Sequence, residues 1–247
     1  MSTLKGLLKG KDQEKFKKLN QEITFNEYLD LVKENPKLIR NAHQMISDMI
    51  KSYGQDKMKK GQSIPHHKFF DDIISPIKEK HGQDAIFGID RSLNDIVNFF
   101  ENAAKGLGAQ KRILLLHGPV GSAKSSIARL LKKGREEYSK TDDGLMYTYE
   151  WVSDEKDPIL GDEKVFPSPM NEDPLKLLSE ETRKELISEI SPEKIEATGY
   201  KNISVRGTLN PACRFILKKY LEKYKGDLET VLTKHIRVKR LVLSEED

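Results

Sequence analysis

Lys111-Arg112-Ile113-Leu114-Leu115-Leu116-His117-Gly118-Pro119-Val120-Gly121-Ser122-Ala123-Lys124-Ser125-Ser126-Ile127 is the stretch around which the rest of the chain can be organised. Residues 118–125 match the Walker A frame G-x-x-x-x-G-K-[ST], with Ala123 where the second frame glycine is expected. Glycines let a backbone fold around a phosphate chain so that consecutive N–H groups point at its oxygens. The four apolar residues 113–116 ahead of the loop read as a buried strand of a parallel sheet. Residues 124–138 after it read as a helix with Ile127, Leu130 and Leu131 turned inward, its positive end aimed at the loop. Strand, glycine loop and helix in that order are the context the motif demands, and they predict an α/β fold of the P-loop NTPase kind, a parallel sheet with flanking helices.

The frame assigns roles. Gly118, Pro119, Val120, Gly121, Ser122 and Ala123 supply the cradle, and Lys124 sets a point charge against the β- and γ-phosphates as the candidate catalytic residue. Ser125 offers its hydroxyl to Mg2+, and Ser126 can assist at the α-phosphate. The Cβ of Ala123 disfavours a positive φ but leaves the start of a helix acceptable, so the substitution reads as tolerated. Upstream, Phe87-Gly88-Ile89-Asp90 resembles the box that AAA+ ATPases place beside the adenine ring, which makes Phe87, Gly88 and Ile89 candidate nucleotide contacts. No N-K-x-D guanine-reading motif occurs, so ATP with Mg2+ is the expected ligand in preference to GTP.

Working outward, the residues before about position 85 read as helical. Thr24 and Glu27 form a capping box, and the helix they open should stop at Asn35-Pro36. Leu38, Ala42, Met45, Ile46, Met49, Ile50 and Tyr53 recur at helical spacing, with Gly54 as the stop. A character change near Phe69-Phe70-Asp71-Asp72-Ile73-Ile74 suggests two parts: a helical N-terminal region over 1–68, and an AAA+ P-loop domain over 69–247 carrying an acidic, Pro-rich and helical insertion at about 153–205. Leu93, Ile96, Val97, Phe100 and Ala104 predict a helix that ends at Gly106-Leu107-Gly108. Residues 147–152 predict a strand, 153–174 an exposed loop, Asp173-Pro174 and Asn210-Pro211 helix starts, and 235–243 a terminal strand.

Composition bounds the function classes. Hydrophobic residues make up 36% and charged residues 33% of 247, enough for a core under a heavily charged surface. A formal charge of +4 is spread over mixed signs, which argues against nucleic acid as the partner, and the basic start from Lys5 to Lys18 reads as a solvated helix. With Cys213 as the single cysteine, no intrachain disulfide can form, and this residue reads as core. No run is apolar enough to span a bilayer or act as a secretion signal, so a cytoplasmic protein is expected. His43, His66 and His67 read as ordinary polar residues, with no metal site among them.

Taken together, Tyr28-Leu29-Asp30-Leu31-Val32, Asn35-Pro36-Lys37-Leu38, Asn41-Ala42-His43-Gln44, Tyr53-Gly54, Phe87-Gly88-Ile89-Asp90 and residues 117–125 resemble the N-terminal part of the PrkA serine protein kinase family. The resemblance covers nearly the whole chain. It implies a bacterial cytosolic protein with an AAA+ ATPase region in front of a kinase-related region, transferring the ATP γ-phosphate to protein serine. Two other readings stand beside it: an AAA+ ATPase that remodels or helps degrade protein clients, and a nucleotide-binding regulatory fragment without catalysis of its own. The expected partner is a protein substrate or client, with no nucleic acid and no membrane; AAA+ modules often form rings, so a homo-oligomer is allowed. The pattern is incomplete. No Walker B strand, sensor or arginine finger can be placed, Arg240-Leu241-Val242-Leu243-Ser244-Glu245-Glu246-Asp247 has too short an apolar run, and H-R-D and D-F-G are absent, so the chain reads as a fragment.

Overall fold

The computed structural model describes residues 11–56, 64–72, 84–153, 157–161 and 163–244. In chain order the regular elements are α1 (Lys11–Leu19), β1 (Glu22–Ile23), α2 (Phe25–Glu34), α3 (Ala42–Ser52), α4 (Asp90–Ala104), α5 (Lys124–Ser139), β2 (Tyr147–Val152), β3 (Val165–Pro167), α6 (Glu180–Ser188), α7 (Pro192–Glu196), α8 (Pro211–Lys223), α9 (Leu228–His235) and β4 (Ile236–Arg240). Short 3-10 turns at Pro36–Ile39, Lys68–Asp71, Ala109–Lys111 and Pro174–Leu177 join them. The first half of the basic N-terminal stretch, Ile73-Ile74 and the last three acidic residues lie outside the described residues. No helix among the described residues is long and apolar enough to cross a membrane.

Caps decide where these helices begin. The Thr24 hydroxyl accepts the Glu27 N–H at 3.2 Å, while the Glu27 carboxylate accepts the Thr24 N–H at 2.7 Å, so two orphan donors of α2 are met at once. Asn41 and Gln44 repeat the device at α3. Asn210 caps α8 through the Cys213 N–H, with Pro211 at the first helical position, and Cys213 is fully buried as expected.

The chain divides into two compact units, one formed by residues up to 39 with 145–198 and 204–242, the other by 40–144, 199–203 and the last residues from 243. The boundary expected at 68/69 falls inside the second unit. In the first unit a four-stranded sheet runs in the order β1-β4-β2-β3, and every pairing is antiparallel. The N-terminal region expected to be helical therefore contributes an edge strand. The terminal strand is an inner one, pairing Tyr149 with Val238 and Trp151 with Ile236. Part of the expected 153–174 loop pairs as β3.

Tyr147, Tyr149 and Trp151 alternate with Thr148 and Glu150 along β2, and all five are buried. On one side Trp151 stacks on Tyr220 at 5.6 Å between centroids, and Tyr220 on His235 at 4.0 Å. On the other, Glu150 is held by Lys239 at 2.8 Å and Arg237 at 3.5 Å across the strand pair. Glu172, also buried, accepts the Asn210 backbone N–H at 3.1 Å and its side-chain amide at 2.6 Å, locking the start of α8 to the sheet.

The second unit is helical. Buried Gln44 donates to Asn202 O at 3.1 Å, Arg40 pairs with Asp48, and Tyr200 donates to Asp48 at 2.6 Å. A Cβ on Gly134 would meet the Phe69 ring at 2.6 Å and Met49 Sδ at 3.0 Å, so α5 can approach α3 and the 68–71 turn this closely only with glycine there.

The parallel sheet expected around the glycine loop is not what these residues build. Residues 113–116 pair with no strand, and Ile113 is 94% and Leu115 79% exposed. A parallel strand needs a neighbour to take its slanted hydrogen bonds. The four strands among the described residues satisfy one another in the first unit.

Asp173 accepts the Leu175 N–H at 2.8 Å and the Tyr28 hydroxyl at 3.2 Å, and burial pushes its carboxyl up to about 6. A folded value above the unfolded value of 3.8 means that stabilisation is full below about pH 3.8 and is lost as pH rises through about 6. Asp173→Asn keeps both hydrogen bonds without the charge. Its melting temperature relative to the parent should therefore rise between about pH 4 and pH 7, and a difference that stays flat with pH would contradict this account.

Candidate functional site

The loop at 118–125 closes on itself before the helix begins. Ser122 sends both its N–H and its hydroxyl to Pro119 O, the latter at 2.8 Å. Gly121 sits at φ +81°, and a Cβ on Gly118 would meet Ser122 Oγ at 2.8 Å. Lys124 folds back across the turn, its ammonium donating to Gly118 O and Ser122 Oγ, each at 2.9 Å, and to Pro119 O. All three of its protons are thus in use, and the cation stands at the mouth of the loop. The first amides of α5 have no acceptor within the helix, and the helix dipole adds partial positive charge at the same place.

Ala123 departs from expectation. It lies at φ +59°, ψ 9°, in the left-handed region, rather than in a conformation an L side chain prefers at the start of a helix. The loop imposes the geometry that a frame glycine would meet without strain, at a cost of about 1–2 kcal/mol.

The residues fit a polyphosphate. A positive-φ turn at Gly121, the Lys124 ammonium and the N-terminus of α5 are brought together in this loop, and Gly118 packs against Ser122 Oγ where a Cβ would clash. Mg2+ is matched more thinly: Ser125 is exposed on the first turn of α5 and offers one oxygen. Among the described residues no group of three or more His, Cys, Asp or Glu is placed to hold a metal. The ion would therefore draw its remaining ligands from phosphate and water.

The second candidate segment lies in the same unit. Ile86 is buried, Phe87 is 57% exposed, Gly88 turns at φ +79°, and Ile89 leads into α4. The Ile86 N–H donates to Phe70 O at 2.9 Å. Asp84, just ahead, accepts from Arg129 of α5 at 2.8 Å. The box is therefore tied to the helix that carries Lys124 and Ser125, although it stands well before that helix in the chain.

His66, read from sequence as an ordinary polar residue, bridges two carboxylates: Nδ1 to Asp90 at 2.9 Å and Nε2 to Asp71 at 2.8 Å. Those hydrogen bonds, to Asp90 foremost, raise its pKa against the opposing effect of burial. Asp71, Asp84, Arg129 and Lys133 carry no sequence signal. They are isolated charges in loops or on a helix face, and only the fold shows that they converge.

Comparison with known proteins places the chain among relatives. A family model described as PrkA AAA domain matches residues 23–246. The chain is 32% identical to the ATP-dependent protease PrkA of Bacillus subtilis over all 247 residues, which is 31% of that protein's length. It is 28% identical to the serine/threonine kinase YeaG of Escherichia coli K12 over 114 residues, 46% of this chain and 17% of that protein. Over 114 residues it is also 33% identical to an uncharacterized protein in the gldA 5' region of Geobacillus stearothermophilus, covering all of the latter. No solved structure matches. The chain thus spans less than a third of the Bacillus relative and less than a fifth of the Escherichia one.

Two measurements test the local physics. Ala123→Gly relieves the left-handed strain but loosens the unfolded chain, so urea unfolding should show a net gain of about 0.5–1 kcal/mol; a loss would mean that Ala123 is not held at positive φ. For His66, the folded pKa lies above the unfolded 6.5. Its stabilisation is complete below about pH 6.5 and is lost as pH rises through the folded value. His66→Gln should flatten the fall in melting temperature over that window, and an unchanged profile would show that the bridge contributes nothing.

Proposed function

This chain belongs to the PrkA AAA domain family, and on that premise we propose that it binds MgATP in the loop at 118–126 and serves as the nucleotide module of a larger protein acting on protein clients. The observation that carries the reading is the Lys124 ammonium, held over the turn by loop carbonyls where the β- and γ-phosphates of a nucleotide would lie. On binding, Lys124 exchanges carbonyl partners for phosphate oxygens, and the amides of the loop and of the first turn of α5 take the remaining charge. Ser125 is the residue that would hold Mg2+, whose contribution is to neutralise charge on the phosphates. Phe87, Gly88 and Ile89 take the purine side.

The apolar run at 113–116, exposed at Ile113, Leu114 and Leu115, is a surface that a neighbouring element would cover. Leaving a side chain such as Ile113 or Leu115 in water forgoes roughly 1.5–3 kcal/mol, so this segment calls for neighbouring strands.

Two uses of the γ-phosphate share this site. The first, hydrolysis coupled to remodelling or degradation of a client, is favoured by the similarity, over all 247 residues of this chain, to a protein named as an ATP-dependent protease. The second, transfer to a client serine, is favoured by the similarity over 46% of the chain to a protein named as a serine/threonine kinase. A cytoplasmic setting accords with the single cysteine, and a homo-oligomer with the ring habit of AAA+ proteins.

Titration calorimetry of the chain with ATP and Mg2+ should register binding. Lys124→Ala should weaken it by roughly ten- to a hundredfold, equivalent to about 1.5–3 kcal/mol for hydrogen bonds to a charged group. Equal affinity of parent and variant would remove the loop from the site. With the complete natural protein, γ-labelled ATP and client proteins, label released as phosphate supports the first use, and label recovered on serine supports the second.

A further inference from the structure

The Phe87-Gly88-Ile89 turn is gripped at both ends. Ahead of it, the Asp84 carboxylate accepts from Arg129 at 2.8 Å, and the Asp84 N–H donates to Asp72 at 3.1 Å. Asp72 itself is 1% exposed and sits at φ +50°. It takes the Lys133 ammonium at 2.7 Å. Behind the turn, Asp90 opens α4 and is fixed by His66, which also holds Asp71 beside Asp72.

Arg129 and Lys133 are four residues apart on α5, and Ser125 lies four residues before Arg129. Residues at this spacing form one stripe along a helix. The stripe that begins with the hydroxyl offered to Mg2+ therefore continues into two cations, one ending on Asp84 just before the turn and the other on Asp72, which accepts the Asp84 N–H. The loop that opens α5 and the 87–89 turn are thus linked by ion pairs as well as by the intervening chain.

From this geometry we infer that Asp84 and Arg129, backed by Asp72 and Lys133, are positioning residues that set the spacing between the phosphate loop and the 87–89 turn, and thereby the selectivity for a nucleoside triphosphate over a bare polyphosphate. The inference rests on the nucleotide-binding reading of residues 118–126. None of the four touches the ligand in this scheme. Their effect is felt only by a ligand long enough to bridge both ends.

The Asp84–Arg129 pair is the one to perturb, because Arg129 is 57% exposed, whereas removing Lys133 would strand the enclosed Asp72 carboxylate. Binding of ATP and of inorganic tripolyphosphate, each with Mg2+, is measured by calorimetry on the parent, Arg129→Gln, Asp84→Asn and the charge-swapped Asp84→Arg/Arg129→Asp, with thermal melts to verify folding. The parent should prefer ATP. Both single variants should lose ATP affinity by at least about fivefold, the scale of coupling between sites, while tripolyphosphate binding stays within about twofold; the swap should recover part of the ATP preference. Equal loss for both ligands, no loss for either, or a parent indifferent to adenosine would each overturn the inference while leaving the phosphate loop standing. A parent that binds neither ligand would overturn the nucleotide-binding reading and this one with it.

Discussion

Lys124 gives the loop its meaning. Two carbonyls and a hydroxyl pointing the same way would repel one another and any incoming anion. The ammonium at 2.9 Å from Gly118 O and Ser122 Oγ neutralises that repulsion and fixes the turn. The flanking features serve this arrangement. Gly118 leaves room for the Ser122 hydroxyl, Gly121 supplies the reversal, and α5 brings a rigid axis and unpaired amides. The strain at Ala123 belongs to the same design. The loop shape is held strongly enough that the backbone adopts a left-handed conformation even where the residue is not glycine.

A cradle of this kind is useful only if its helix does not move. α5 is fixed along its length by unlike means: close apolar approach at Gly134, and ion pairs at Arg129 and Lys133. The buried pair is the more consequential, since a carboxylate as enclosed as Asp72 is tolerable only with its partner present. In the other unit the same logic appears with different chemistry. Polar groups such as Glu172 and Glu150 sit within an aromatic interior because each has its donors in place. Both units thus combine an apolar packing surface with a few enclosed, fully partnered charges, which penalise alternative packings.

Much of this was readable from local pattern. The caps at Thr24, Asp173 and Asn210, the helix over 90–104, the loop and its helix, and the strand at 147–152 each follow from residues within one or two turns of one another. What was misread involves pairing at a distance. Residues 22–23 and 236–240 become neighbours across most of the chain, which no periodicity encodes. The apolar run at 113–116 states a need for burial without naming what buries it, and the antiparallel sheet forms elsewhere.

For the site, the sequence by itself carried the expectation of a phosphate ligand, because a glycine-framed turn followed by lysine and a hydroxyl expresses its chemistry through adjacent backbone groups and needs no distant partner. Tertiary structure alone decided how the 87–89 turn is tied to α5, that His66 spans two carboxylates, and that Ala123 bears strain. Each of those depends on side chains or torsions brought together by packing, and charges scattered between positions 66 and 133 acquire a partner only when the helices that carry them have docked.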